Sequence, residues 1–299
     1  MPTTTRPSWL LCAALLLAVT SSAHADPAPA PSGAPAPDAS AVLERWRALM
    51  GGRAGCFAVH HPASGRTWRS DDVACGERRP PFSTFKIPHS LLALDSGTLA
   101  SADVVIPWDR KRYPAQRWWP KAWRGRHDLR SAFRHSVVPY YRTLAGRVGV
   151  ATMQRYLDAF DYGNRALGPA LDSFWLGGEL AISADEQLAF LTKLQAGTLP
   201  VKAAAAETVR DIMVIERASD YVLRGKTGTG DVGEGRYLGW LVGWVERGGE
   251  VFVFALALEG KSFAEVRDPR RGLVDAMLAE LGVEAPVASG TPARGRAEP

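Results

Sequence analysis

Ser83 and Lys86 stand three residues apart in Pro81-Phe82-Ser83-Thr84-Phe85-Lys86-Ile87-Pro88, and a second lysine lies well downstream in Lys226-Thr227-Gly228. On a helix, residues i and i+3 share a face, so this spacing brings a hydroxyl and an amine together without help from distant parts of the chain. A serine hydroxyl is a weak nucleophile until a base removes its proton, and lysine is such a base only when its own charge is suppressed. Phe82, Phe85 and Ile87 make the neighbourhood apolar, and the positive end of a helix disfavours an ammonium. The chemistry on offer is acyl transfer or hydrolysis. Ser-x-x-Lys alone has a plainer reading, a helix start with serine as cap and lysine in solvent. Lys-Thr-Gly alone fits any turn before a strand. The ordered set, with Ser136-Val137-Val138 between the two, gives the pattern its weight.

The surrounding periodicities say what must position these groups. Residues 41–50 have helical spacing, and residues 56–60 and 67–70 read as two strands around Pro62-Ala63-Ser64-Gly65. The Ser83 helix continues to about Asp95. From about residue 97 to 205 the pattern is helical, with candidate helices at 128–135, 138–147, 151–160 and 184–195. Ser183 and Glu186 form a capping box for the last of these, and another helix is predicted over 202–213. Strand character returns at 221–224, 237–246 and 250–259, the last two joined as a hairpin at Arg247-Gly248-Gly249. A final helix is predicted over about 269–281. Strands at both ends and helices between imply an α/β lobe built from both termini and an inserted helical lobe, with a substrate cleft between them.

Composition bounds the setting. Arg6, the apolar run at residues 9–19 and Ala23-His24-Ala25 before Asp26 read as a secretory signal peptide over residues 1–25, the run being too short to span a bilayer. Residues 26–40 are a Pro- and Ala-rich flexible lead-in, 41–284 the catalytic domain and 285–299 a flexible tail. A periplasmic protein without a membrane anchor after cleavage is expected. Cys56 and Cys75 then remain, as a disulfide or as two buried thiols, and neither has the partners a zinc site needs. The net charge of +5 is spread among interleaved acids, which argues against nucleic acid as a partner. Arg110-Lys111-Arg112 and Trp118-Trp119-Pro120-Lys121 form a local basic and aromatic cluster, read as a solvated loop.

Taken in order, Ser83-Thr84-Phe85-Lys86, Ser136-Val137-Val138, Tyr162-Gly163-Asn164, Phe174-Trp175-Leu176 and Lys226-Thr227-Gly228 closely resemble the class D, oxacillinase-type serine β-lactamases, over nearly the whole of residues 55–281. Class A enzymes carry Ser-Asp-Asn as the middle motif and a loop glutamate as base; here Val138 holds the third motif position, and the loop offers only Asp172 and Glu179. The resemblance implies the two-lobed α/β β-lactamase/penicillin-binding fold, an antiparallel sheet flanked by helices plus an all-helical lobe. It implies hydrolysis of β-lactam antibiotics, with Ser83 as nucleophile and Lys86, converted by carbon dioxide or bicarbonate to N6-carboxylysine, as base. Ser136 and Lys226 would deliver a proton to the leaving nitrogen. Thr227, Gly228, Thr229 and an arginine of the last helix would hold the substrate; spacing favours Arg270, with Arg267 and Arg271 as neighbours. Trp175 and Val138 would surround the modified lysine, although each also has a simple core reading. No metal or other cofactor is implied, and the chain would act as monomer or homodimer. The competing functions are a penicillin-binding peptidase and a β-lactam sensor that is acylated without turnover.

Overall fold

The computed structural model describes Met1 and residues 38–286. The chain divides into two units, Met1–Ala36 and Pro37–Pro299, and every element named below lies in the second. The leader at residues 1–25, most of the lead-in and the tail from residue 287 fall outside the described residues. Helix α1 (Ala39–Met50) starts where the Asp38 carboxylate accepts the Ser40 amide at 3.0 Å, two residues before the domain start expected from sequence. Strands β1 (Gly55–His61) and β2 (Arg66–Arg69) pair as a hairpin, and the short α2 (Asp72–Gly76) follows. A single 3-10 turn, Phe82–Phe85, runs directly into α3 (Lys86–Asp95). The middle of the chain is helical, with α4 (Leu129–Arg134), α5 (Val138–Val148), α6 (Val150–Phe160), α7 (Ala184–Ala196) and α8 (Ala203–Ile212). The capping box at Ser183 and Glu186 forms as its sequence requires. The chain returns through β3 (Val214–Arg217), β4 (Tyr221–Gly233), β5 (Arg236–Arg247) and β6 (Glu250–Gly260), and closes with α9 (Phe263–Arg267) and α10 (Arg270–Ala279).

The six strands form one antiparallel sheet in the order β2-β1-β6-β5-β4-β3. Both faces are covered, and the period-2 pattern of the strands sorts side chains between them. On β6, Val253, Ala255 and Ala257 enter the core shared with the helical segment, while Phe254, Leu256 and Leu258 enter the core under α1 and α10. On β1, Cys56 and Ala58 take the first face, and Phe57 and Val59 the second. Trp46 of α1 meets Phe57 edge-on at 4.7 Å between ring centroids and donates its indole N–H to the Met277 carbonyl at 2.9 Å. The terminal helices are thereby tied to the sheet and to each other.

Two expectations change. The Ser83 turn is 3-10 rather than α-helical, with the α-helix beginning only at Lys86. The strand expected over residues 221–224 continues to Gly233 and carries Lys226-Thr227-Gly228 within it instead of after it. Glycines depress strand propensity, but full pairing of β4 with β5 from Tyr221 to Asp231 overrides that local preference. The strand β3 and the five-residue helices α2 and α9 are too short for periodicity to mark.

Cys56 on β1 and Cys75 on α2 are joined by a disulfide, with their Cα atoms 5.1 Å apart. Both are fully buried. The bond closes a loop over a sequence separation of 19, for which chain entropy gives about 3 kcal/mol of stability. In urea titrations, the Cys56→Ala/Cys75→Ala protein should lose about that much relative to the oxidised wild type. Equal midpoints would show that the cross-link contributes nothing to stability.

Candidate active site

Lys86 is the first residue of α3 and is fully buried, and its Nζ lies 2.7 Å from the Ser83 Oγ across the 3-10 turn. Burial pushes the lysine well below its ordinary pKa, and the nearby Lys226 charge adds to the shift. The amine is therefore held toward its neutral form, able to accept the hydroxyl proton. Below it, Ser90 donates to the Lys86 carbonyl at 2.7 Å and meets the Tyr141 hydroxyl at 2.8 Å, and Lys86 Nζ stands 5.1 Å from the Tyr141 ring centre. Burial also raises the Tyr141 hydroxyl well above its usual range, so it stays protonated.

Strand β4 passes close against the Ser83 turn. A Cβ at Gly228 would lie 2.9 Å from the Pro81 carbonyl oxygen and 3.2 Å from the Ser83 amide nitrogen, and one at Gly230 would overlap the Phe82 ring. Only glycine lets the strand approach this near. The Trp240 indole on β5 donates to the Pro80 carbonyl at 2.9 Å, fixing the same turn from the sheet.

Ser136 follows α4 in a left-handed backbone conformation, φ 55°, and Phe82 beside Ser83 adopts φ 47°. Such values strain a residue with a side chain and persist where surrounding structure imposes them. Ser83, Ser136, Val138, Thr227, Gly228, Thr229, Arg267 and Arg270 all line one cleft of about 780 Å³. Lys226 lies beneath it, nearly buried, with Nζ 3.1 Å from the Thr227 carbonyl oxygen and 5.6 Å from the Phe133 ring centre. The three arginines weighed from sequence are placed differently. Arg270 is buried and donates to Thr229 Oγ1 at 2.7 Å and to the Gly228 carbonyl at 3.0 Å. Arg267 lines the cleft and pairs with Asp268 at 2.6 Å. Arg271 is bound to Glu216 at 2.6 Å and Asp275 at 2.7 Å and does not line the cleft.

Trp175 is fully buried, stacked on Phe85 at 5.7 Å, and its indole N–H has no hydrogen-bond partner. His89, one turn after Lys86, is also fully buried between Phe85, Tyr141 and Trp175, with both ring nitrogens unpaired. Burial and the Lys86 charge lower it to about 3, so it is a neutral imidazole. His89 is not among the candidates read from sequence; its signal there is a polar residue three positions after Lys86, inside an apolar run. Tyr162-Gly163-Asn164 holds the loop under the site: Asn164 Oδ1 accepts the Ala181 amide at 3.0 Å, and its Nδ2 donates to the Glu179 carbonyl at 2.7 Å. The two carboxylates weighed as bases are placed elsewhere. Asp172 accepts the Tyr113 hydroxyl at 2.8 Å and pairs with Arg142 at 3.3 Å, Glu179 is exposed, and neither lines the cleft.

Of the basic and aromatic cluster read as a solvated loop, Arg110, Lys111, Arg112, Trp118 and Lys121 are exposed as expected, but Trp119 is buried, and Arg112, Trp118, Trp119 and Pro120 join Tyr113 and Trp123 in a cleft wall. Tyr113, Trp119 and Trp123 are buried, Trp118 is exposed at 68%, and all four line the cleft. The indoles pack on one another with centroids 5.6–6.3 Å apart. Irregular backbone hid this burial, because a wall without helix or strand period leaves no pattern to read. Among the described residues no group of histidine, cysteine or acidic side chains can hold a metal ion, and no helix is long and apolar enough to cross a membrane.

Comparisons with known proteins agree with this geometry. Residues 50–273 match the family model of the penicillin binding protein transpeptidase domain. The chain is 40% identical over 207 residues to β-lactamase OXA-5 of Pseudomonas aeruginosa, covering 69% of this chain and 76% of that protein. It is 41% identical over 179 residues to β-lactamase OXA-48 of Klebsiella pneumoniae, covering 60% of this chain and 65% of that protein, just under two thirds of its length. A class D β-lactamase structure from Nostoc superposes with a TM-score of 0.73 at 30% identity, covering 83% of this chain and 99% of the other. One from Sebaldella termitidis gives 0.74 at 28%, covering 83% and 96%.

The buried amine has a consequence for stability. The folded pKa of Lys86 lies below its ordinary 10.5, so between those two values the unfolded chain binds the extra proton. Folding stability therefore rises with pH through that window, and at neutral pH the buried lysine is a liability. In bicarbonate-free buffer, Lys86→Met should raise stability by about 1 kcal/mol, or about 2–4 °C in Tm, while abolishing any Ser83 chemistry. The difference should narrow as the pH approaches 10.5. A melting temperature below that of the wild type would contradict this account.

Proposed function

Because the chain belongs to the class D β-lactamases, a family of serine hydrolases, we propose that it hydrolyses the amide of penicillin-type antibiotics through an acyl-enzyme on Ser83 and so confers resistance. The observation that carries the reading is the 2.7 Å contact between the Ser83 hydroxyl and the buried, charge-suppressed Lys86 amine. The neutral amine takes the Ser83 proton as Oγ attacks the lactam carbonyl. The backbone amides of Ser83 and Thr229 serve as the oxyanion hole, whose loss costs about 3 kcal/mol in comparable sites. As the C–N bond breaks, Ser136, assisted by Lys226, delivers a proton to the departing nitrogen. Thr227, Gly228, Thr229 and Arg270 hold the substrate carboxylate end, Arg270 being oriented by its bond to Thr229 Oγ1.

The pocket under Ser83 also fits a carbon dioxide adduct of Lys86, the N6-carboxylysine. An uncharged, dehydrated amine is the form that adds carbon dioxide, and the indole N–H of Trp175, whose ring packs on Phe85 and His89 either side of Lys86 in sequence, is buried without a partner among the described residues. The group would supply a carboxylate-type base beside Ser83. Trp175 would donate its N–H to it, and Val138 and Phe85 keep bulk water out. Carbon dioxide or bicarbonate is its source, and no metal is required. The buried Cys56–Cys75 disulfide supports export to an oxidising compartment, the periplasm.

Ser83→Ala should abolish turnover of benzylpenicillin, and intact-protein mass spectrometry with a slow β-lactam should place the adduct on the Ser83 peptide of the wild type. One equivalent bound with no steady-state product would instead indicate a sensor. Carbon-13 NMR with labelled bicarbonate should show a carbamate signal that is absent in Lys86→Ala and weakened in Trp175→Ala. A fully active enzyme without that signal would leave the free Lys86 amine as the base and rule out the carbamate.

A further inference from the structure

The cleft has a second cationic pole that the hydrolytic chemistry does not use. Two guanidinium groups approach the Tyr113 ring, Arg112 with Cζ 5.4 Å and Arg142 with Cζ 4.6 Å from its centre. All three residues line the cleft. Asp172 is the only carboxylate paired there among the described residues. It takes the Tyr113 hydroxyl at 2.8 Å and one Arg142 nitrogen at 3.3 Å. Burial and that hydrogen bond push Tyr113 up to about 12, so it contributes no charge. Two guanidinium groups thus face one carboxylate. Arg112 has no ion-pair partner among the described residues, and the Arg142 Nε is buried without a hydrogen-bond partner. Asp231 is the acidic residue lining the same cleft; it sits on β4 beside Gly230, where it accepts the Gly233 amide at 2.7 Å.

Next to this pole stands the tryptophan wall, with Trp118 exposed at its rim. The Tyr113 backbone that carries the pole is fixed to it, its carbonyl accepting the Trp108 indole N–H at 2.8 Å. A flat ring on the wall and an anion at Arg112 and Arg142 would satisfy both features at once, through stacking and charge-assisted hydrogen bonds. The pole formed by Arg270 is already committed to the carboxylate common to all penicillins.

We propose that Arg112, Arg142 and the tryptophan wall select β-lactams whose acyl side chain carries both an aromatic ring and a carboxylate. The inference rests on the hydrolase reading above and extends it to substrate class. Arg112 is exposed, so its contribution is screened by salt and modest, about fivefold in kcat/KM and expressed in KM.

Three penicillins that share the benzyl side chain, bearing hydrogen, carboxylate or ammonium at its α-carbon, test this. For the wild type, kcat/KM should rank carboxylate above hydrogen above ammonium, with the spread shrinking as salt is raised. Arg112→Gln should lower kcat/KM for the carboxylate substrate about fivefold and leave that for benzylpenicillin within about twofold. Arg112→Glu should reverse the preference toward the ammonium substrate. Ratios that are the same in all three proteins, or a wild type that discriminates against the carboxylate, overturn the proposal alone. Failure to turn over any of the three overturns the hydrolase reading, and this inference with it.

Discussion

The structure depends on keeping one amine out of water. Lys86 is useful only if its charge is suppressed, and nothing suppresses it as strongly as desolvation. Every residue of α3 from Lys86 to Ala93 is buried, so this helix has no polar face and must be enclosed on all sides by other elements. The helical segment encloses it from one direction through Tyr141 and Trp175. The sheet encloses it from another, because Gly228 and Gly230 let β4 close onto the Ser83 turn. The Ser83 hydroxyl at the rim of this pocket lies 2.7 Å from the Lys86 amine. The two-lobed architecture follows from that requirement as much as from the need for a cleft.

The same enclosure leaves marks that a purely structural core would not carry. His89 and Trp175 bury polar nitrogens without partners, and Phe82 and Ser136 sit in a left-handed conformation with full side chains. Each feature is unfavourable by itself, and all four lie within or beside the motifs singled out in the sequence. Their concentration distinguishes this part of the core from the region under α1 and α10. There Trp46 and Phe57 pack conventionally, and the Trp46 indole finds its carbonyl.

Much of this was readable beforehand where chemistry and periodicity coincide. The i, i+3 relation of Ser83 and Lys86 survives in a 3-10 turn because both kinds of helix bring those positions onto one side. Helices α5, α6 and α7 carry long apolar periods and emerged within a residue or two of their expected bounds. What local pattern could not reveal was set by long-range pairing. Strand β4 is glycine-rich and gains its conformation from β5, and Tyr113 to Trp123 form a wall through tertiary contacts alone. Spacing could not separate Arg267, Arg270 and Arg271, because only tertiary placement shows that Arg270 reaches Thr229 of β4, that Arg267 lines the cleft and that Arg271 does not.

The order of strands in the sheet has a consequence for how the chain is made. Strand β1 pairs directly with β6, Cys56 facing Ala257 across almost the whole length of the described chain. The central sheet therefore cannot close until the last strand has been synthesised, and contacts of such long range make folding slow. The nascent chain stays open while it lengthens, which would suit the export proposed above. The β1–β2 hairpin and the Cys56–Cys75 link, each spanning only a short loop, can be set early, the link wherever conditions are oxidising.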